Sequence, residues 1–375
     1  MGGWSLPLDS SSLARLVAAF LISACATWAS IRYAQRRRLI DHPGQRRLHR
    51  VPTPRGGGIG IVLAVIACFV LPLFAVPAER SFAFAFGLAF VLVAIVGWID
   101  DHRSLSARLR IIVHFAAAPP LLLLIPLFAE IGRFPSSIQT IPGVLLAIVV
   151  TLALATIIVW SVNLHNFMDG IDGLLACQAI FVFAALGFVC AYAGDGTAAG
   201  ALFVFASAVL GFLPFNFPRA RIFMGDVGSG AIGLMVVVAC AFALAHGGLF
   251  SGIIACSAFV TDASCNLLSR MWRGRRWYSA HREHLYQWMT RTGLSHAQVV
   301  GWYMGWNLLV VAPVLVWVNA PHARVDWYED GILAALADRG SGAALTLYAV
   351  AVALWIFGKR WCLRKVKSRA LHAPA

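Results

Sequence analysis

Apolar runs of roughly twenty residues alternate along the whole chain with short segments rich in glycine, proline and charge. A helix rising ~1.5 Å per residue needs about 20 such residues to cross a hydrocarbon core. On that ruler eleven candidates stand out, at roughly 13–31, 58–76, 81–99, 111–128, 143–162, 174–193, 198–215, 230–245, 249–269, 299–320 and 343–357. None shows the strict alternation of a lipid-facing barrel strand, and a spanning helix satisfies its own backbone hydrogen bonds, so helices are predicted throughout. The polar segments are too short to form a soluble domain of their own. The predicted fold class is all-α: a polytopic integral membrane protein with about 11 transmembrane helices and catalytic loops on its cytoplasmic side, residues 1–375 forming one membrane-embedded domain.

The 13–31 run has only Arg15 near its start and is followed at once by "RYAQRRRL", the reverse of a signal peptide, so it is expected to stay as a spanning helix. Composition agrees. The chain is 60% hydrophobic and 12% charged, with a mean hydropathy of +0.78, whereas soluble domains are nearer ~45–50% apolar. Eight cysteines lie mostly within apolar runs and form no CxxC pair or Cys/His cluster, so they read as small core residues.

The net charge of +14 changes the picture only in its distribution. With the N-terminus outside, the loops near 32–57, 100–110, 163–173, 216–229 and 270–298 and the tail after 357 share one side. That side holds 25 of the 30 Lys and Arg residues. By the positive-inside rule it is cytoplasmic, facing anionic lipid heads, and no nucleic acid is expected as a partner.

Acids are scarce, 16 in all, and five of the seven on the cytoplasmic side abut apolar runs, in "VGWIDDHRS", "NLHNFMDGIDGLL" and "RIFMGDVGSG". A carboxylate at the membrane edge is costly to desolvate and marks a functional candidate. Helix capping is the plainer alternative, and it suits Asp172 and Asp226 best. It does not suit Asp100 and Asp101, which end a helix where the dipole disfavours negative charge. Being about 100° apart on a helix, the two are expected to play different parts. Asn163, Asn166, Asp169 and Asp172 recur every three residues, and their amide and carboxylate groups can read a polar ring edge such as a nucleobase. Carboxylates on three loops of one face suit a hard cation, Mg²⁺ or Mn²⁺, shared with substrate phosphates.

On the same face, "DHPGQRRLHRVPTPRGGGIGI" sets Arg46, Arg47, His49, Arg50 and Arg55 around a turn entering a helix, which is either a phosphate cradle or a topogenic loop. Arg36 to Arg38 read as topogenic. In "RMWRGRRWYSAHREHLYQWMTRTGLSH", His281 and His284 share a helical face while Glu283 does not, which argues against zinc and leaves phosphate contact, proton handling or a plain surface role. Asp262, inside the ninth run, is expected to serve interhelical structure.

Taken in order, "DHPGQRRLHRVPTPRGGG", "WIDD", "NLHNFMDGIDGLLA", "FNFPRARIFMGDVGSG" and "SRMWRGRRWYSAHREHLYQ" resemble the bacterial polyprenyl-phosphate N-acetylhexosamine-1-phosphate transferases, glycosyltransferase family 4. The resemblance implies transfer of a sugar 1-phosphate from a UDP-sugar to undecaprenyl phosphate, with release of UMP and use of Mg²⁺ or Mn²⁺. By motif, Asp226 resembles the metal ligand. Asp100 and Asp101 resemble the pair that supports the metal and activates the lipid phosphate. Asn163, Asn166, Asp169 and Asp172 resemble the nucleotide-binding segment, Arg46, Arg55 and His281 further substrate contacts, and His284 a catalytic histidine. Membrane lipids surround such an enzyme, and a homodimer is compatible with it.

One string departs from the pattern. Where hexosamine-transferring relatives carry His-Ile-His-His, this chain has "HLYQ", with Tyr286 and Gln287 replacing the later histidines. It also lacks the triple-histidine loop of the branch that handles the peptide-bearing muramic acid substrate. The variant resembles the O-antigen-initiating enzymes acting on 6-deoxy sugars such as N-acetylfucosamine or N-acetylquinovosamine, with Tyr286 as a less polar pocket wall where a hydroxyl is missing. UDP-N-acetylglucosamine is the alternative donor. A transporter would line a midplane pathway with its acids, and a scaffold has no use for five edge aspartates; neither matches this clustering.

Overall fold

The computed structural model of the chain describes residues 9–41, 51–122, 141–245, 248, 250–275, 282–320 and 339–371. Helix α1 (Ser10–Arg37) starts where Asp9 Oδ1 accepts the Ser12 N–H at 2.8 Å, and stops at Arg38, whose φ of 56° is left-handed. A two-residue hairpin follows, β1 (Ile40–Asp41) antiparallel to β2 (Thr53–Pro54). Then come α2 (Ile59–Leu73), α3 (Arg80–His102), α4 (Ala107–Ala116), α5 (Ala118–Leu122), α6 (Ile141–Met168), α7 (Leu174–Tyr192), α8 (Gly196–Asn216), α9 (Asp226–Ala245), α10 (Ser251–Ala255), α11 (Ser257–Trp272) and α12 (Leu285–Arg291). The last two are α13 (His296–Val318) and α14 (Arg339–Leu371).

Eight of the described helices are long and apolar enough to cross a membrane. The other three predicted runs are helical but shorter or interrupted. The run at 58–76 forms α2, that at 111–128 forms α4 and α5 as far as Leu122, and that at 249–269 breaks at Cys256 between α10 and α11.

Helix α9 lies at the centre, packed on α3, α6 and α7. Small residues set how closely it is approached: a side chain at Gly97 of α3 would strike the Asp226 carbonyl, and one at Gly233 the α6 backbone at Val162, 2.6 Å away. Ser161 Oγ donates to the Gly233 carbonyl at 2.7 Å, tying α6 to α9. Away from the polar end the core is aromatic, with Phe69, Phe86 and Phe205 in edge-on and stacked contact.

Asp262 joins the C-terminal helices. Its carboxylate accepts from Leu285 N (2.8 Å), Trp355 Nε1 (2.9 Å) and the Tyr303 hydroxyl (2.8 Å), three donors on α12, α14 and α13. A carboxylate buried to 2% exposure persists only when its lone pairs are met in this way.

The predicted sidedness is open to a direct check. In a background stripped of native cysteines, Ser104→Cys and Arg219→Cys, both at exposed positions, are expected to react with a membrane-impermeant maleimide only after the cells are opened. Labelling of either in intact cells overturns the assigned orientation.

Candidate active site

A polar cavity of about 230 Å³ collects at one end of the bundle, where the ends of α3, α6, α8 and α9 meet the hairpin, α12 and α13. The hairpin is zipped to the loop before α9. Phe223 N donates to the Pro54 carbonyl (2.8 Å), Gly57 N to Phe223 O (2.9 Å) and Gly58 N to Met224 O (2.8 Å). This approach is close enough that any side chain at Gly58 would run into the Gly228 backbone, which accounts for the glycine run read in the sequence as a helix entrance. The zipped loop carries Arg55 into the cavity. Arg46 and His281, with Arg47, His49 and Arg50, lie outside the described residues.

Asp100 and Asp101 divide their work. Asp101, 3% exposed, accepts the backbone N–H of Asp226 at 3.1 Å and of Val227 at 3.2 Å. It therefore caps α9 from a neighbouring helix, in keeping with the positive end of the α9 dipole. Gly225, with φ of 78°, makes the turn, and a side chain there would strike the Asp101 carboxylate. Asp100 accepts Leu105 N at 2.6 Å and Arg110 Nη1 at 3.2 Å, and its side chain lies against the Asp226 carboxyl instead of the α9 N–H groups. With the N–H groups at its own terminus already met, Asp226 keeps its carboxylate for the cavity, where Arg110 Nη1 reaches it at 3.0 Å.

Capping therefore does not explain Asp226, and it fails for Asp172 as well: α7 begins on Gly173, in the left-handed region at φ 77°, without a side-chain cap. Asp172 Oδ2 instead accepts Ala220 N at 3.2 Å and lies 3.2 Å from His296 Nδ1. Asp169 also lines the cavity. Burial, then the negative charges of Asp226, Asp101 and Asp172, push its carboxyl up to about 8. The three-residue recurrence does not bring all four predicted residues together. Helix α6 ends at Met168, so 163 and 166 are on a helix and 169 and 172 on a loop. Asn166 donates to Ser229 Oγ at 3.0 Å and hydrogen-bonds the Asp226 carboxylate, so it supports the site from the α6 side without lining the cavity itself. Asn163 donates to the Val159 carbonyl at 2.7 Å and lies beside His114, away from the cavity.

Two expectations for the 270–293 loop are corrected. Tyr286 is not a pocket wall: it has 0% exposure, and its hydroxyl donates to the Phe167 carbonyl at 2.9 Å while accepting Gln287 Nε2 at 3.1 Å. Its ring fills the space over Gly170, where any side chain would collide with it. Nor does His284 face the cavity. It is 3% exposed at the N-cap of α12, its Nδ1 3.9 Å from Asp262, beyond hydrogen-bonding distance. The apolar packing of α12 draws both inward. Gln287 is the member of the string that reaches the cavity. Tyr286→Phe removes one buried hydroxyl and leaves the Phe167 carbonyl unpaired, a cost of about 1–3 kcal/mol. The variant is expected to melt a few degrees lower in detergent, and an unchanged melting point would show that the Phe167 bond contributes nothing.

Three residues went unnoticed in the sequence. Arg110 counted only as a positive-inside charge, yet it bridges Asp100 and Asp226. His296 drew no reading of its own within the 270–298 loop, yet it lies 3.2 Å from the Asp172 carboxylate. Asn216, inside the quoted "FNF", holds Gly173 N at 2.8 Å and the Ile222 carbonyl at 3.1 Å, joining the two acidic loops.

The donor set fits a divalent cation of the Mg²⁺ class. The carboxylates are all-oxygen ligands and their mutual repulsion is only partly offset by Arg110 and Arg55. Mg²⁺ is usually held by one or two carboxylates and completed by substrate phosphates; among the described residues no three His, Cys, Asp or Glu side chains are grouped about one point.

Fold and site together define an integral membrane protein with a carboxylate-lined cleft at one end of its helix bundle. The family model "Glycosyl transferase family 4" matches residues 83–243. The chain is 32% identical over 331 residues to the decaprenyl-phosphate N-acetylglucosaminephosphotransferase of Mycobacterium tuberculosis, covering 80% of each chain. It is 25% identical to a probable undecaprenyl-phosphate N-acetylglucosaminyl 1-phosphate transferase of Bacillus subtilis, over 81% of this chain and 87% of that one. It is also 25% identical to the undecaprenyl-phosphate alpha-N-acetylglucosaminyl 1-phosphate transferase of Escherichia coli K12, over 59% and 60%. The chain belongs to glycosyl transferase family 4, the polyprenyl-phosphate N-acetylhexosamine-1-phosphate transferases.

Proposed function

We propose that the protein transfers an N-acetylhexosamine 1-phosphate from a UDP-sugar to undecaprenyl phosphate at the cytoplasmic face of a bacterial inner membrane, initiating a lipid-linked surface polysaccharide such as O-antigen. The observation that carries this is the presentation of Asp226 to a cleft it shares with Asp169, Asp172 and Arg55, its own helix terminus capped by Asp101.

In the reaction a lipid phosphate oxygen bonds to the sugar-bearing phosphorus, the bond from that phosphorus to the bridging oxygen breaks, and UMP leaves with that oxygen. Both reactants are anions, so repulsion must be offset before attack. A bound Mg²⁺ or Mn²⁺ supplies that offset; Asp226 would hold it, with Asp101 fixing the Asp226 backbone. Arg55 adds positive charge for a phosphate, and Arg110 fixes the Asp226 carboxylate on its other side. Asp169 and Asp172 offer acceptors for the nucleotide. The lipid phosphate is already largely ionised near neutral pH and requires little from a base.

For the sugar, N-acetylglucosamine takes first place, because the relatives' names specify it and the Tyr286 wall is absent. A 6-deoxy donor is the alternative, resting on the resemblance of the "HLYQ" string, of which Gln287 reaches the cavity. The test is UMP release by purified protein with undecaprenyl phosphate, Mg²⁺ and the two UDP-sugars in competition. UMP formation that disappears with EDTA is expected, and no release from either donor overturns the proposal.

A further inference from the structure

Beside the last motif loop, a groove of about 760 Å³ runs between α11, α12, α13 and α14. Its walls are almost wholly apolar, among them Trp302, Trp306, Leu309, Leu354, Trp355 and Trp361. Lipid-facing helices normally pack side by side; here Gly305 and Gly358 leave a concave surface, and a side chain at Gly305 would meet open space. The α14 apolar run ends at Phe357 and Lys359 opens a basic tail, so the groove comes up to the polar edge of the membrane there.

At that height, on the adjoining faces of α12 and α14, lies a second cavity of about 490 Å³. It is lined by Arg270, Arg273, Arg275, Arg282, Arg291 and Lys359, and among the described residues by one carboxylate, Glu283. Arg270 and Arg275 share Glu283 at 2.6 and 2.9 Å. Lys359 connects the two spaces: it sits 4.4 Å over the ring of Trp355, a groove residue, while its Nζ bonds Asn266 at 3.1 Å.

We propose that this pair of cavities is a binding site for an anionic diacyl phospholipid, its chains in the groove and its phosphate among Arg273, Arg291 and Lys359, separate from the acidic cleft. Charge complementarity selects this occupant: an apolar slot alone accepts any chain, whereas the basic lining at its mouth, with Arg273, Arg291 and Lys359 among the described residues, favours an anionic headgroup.

Native mass spectrometry of the delipidated protein in neutral detergent, titrated with phosphatidylglycerol, phosphatidylcholine or inorganic phosphate, tests it. Phosphatidylglycerol is expected to be preferred over phosphatidylcholine by about 30-fold, the contribution of two basic residues near an anionic headgroup. Arg273→Gln with Arg291→Gln should remove most of that preference, weakening phosphatidylglycerol more than phosphatidylcholine, and Gly305→Leu should weaken both lipids. Should the double variant fail to fold, Arg273→Gln alone, at an exposed position, should reduce the preference about 5-fold. Equal retention of the two lipids overturns the proposal. So does saturable phosphate binding without lipid selectivity, or a disulfide between protomers carrying Gly305→Cys and Leu354→Cys, which would put a second copy in the groove.

Discussion

Asp226→Asn is expected to lower UMP release by about 10³-fold or more while leaving the protein folded. Asn keeps the shape and an oxygen for Arg110, whose Nη1 is 3.0 Å from the carboxylate, and it leaves the α9 cap untouched because Asp101 supplies it. What is lost is one negative charge facing the anionic substrates' cation, and the several kcal/mol expected of such a contact correspond to about three decades of rate. Purified variant and parent should therefore melt alike and differ in turnover. Near-normal turnover at ordinary Mg²⁺ would remove Asp226 from the metal assignment.

The second large effect is expected at Asp101 and takes a different form. Asp101→Ala strips acceptors from two buried N–H groups at the start of α9, and loss of an N-cap alone costs about 0.5–2 kcal/mol. Because the same residues carry Asp226, its carboxylate loses its fixed position, and a displacement of that kind can cost about 10²-fold in rate. Melting temperature and turnover should fall together, with Asp101→Asn, which keeps one acceptor, falling between. Asp100→Asn should spare more of the cap, since Asp100 bonds Leu105 and Arg110 instead. An Asp101→Ala protein that melts and turns over like the parent would show that the cap does not position Asp226.

The helical membrane fold and the acidic end of the bundle were legible from local pattern. Apolar run length depends on hydrocarbon thickness alone, and edge carboxylates are conspicuous where acids are rare. The aromatic core and the glycine contacts needed the structure, because Gly97 and Gly58 are small for reasons found on other helices.

The site shows where local pattern stops. Residues 163 to 172 share a spacing, but α6 ends within it, so a common period gave two residues lining the cavity, one supporting Asp226 from its helix and one, Asn163, turned away. The string from His284 to Gln287 looked like a substrate loop, yet α12 turns Tyr286 and His284 inward and Gln287 outward. Arg110, His296 and Asn216 carried no motif of their own.

By itself the sequence determined that the chain crosses a membrane many times, and that basic loops and five edge aspartates gather toward one side, since hydropathy and charge act over single helices. It also determined the family, through strings whose residues lie together in the chain. Only the tertiary structure decided which aspartate caps and which is presented. That choice depends on a backbone N–H of Asp226 meeting a carboxylate from 125 residues away, a pairing set by how α3 and α9 pack and invisible to any local period.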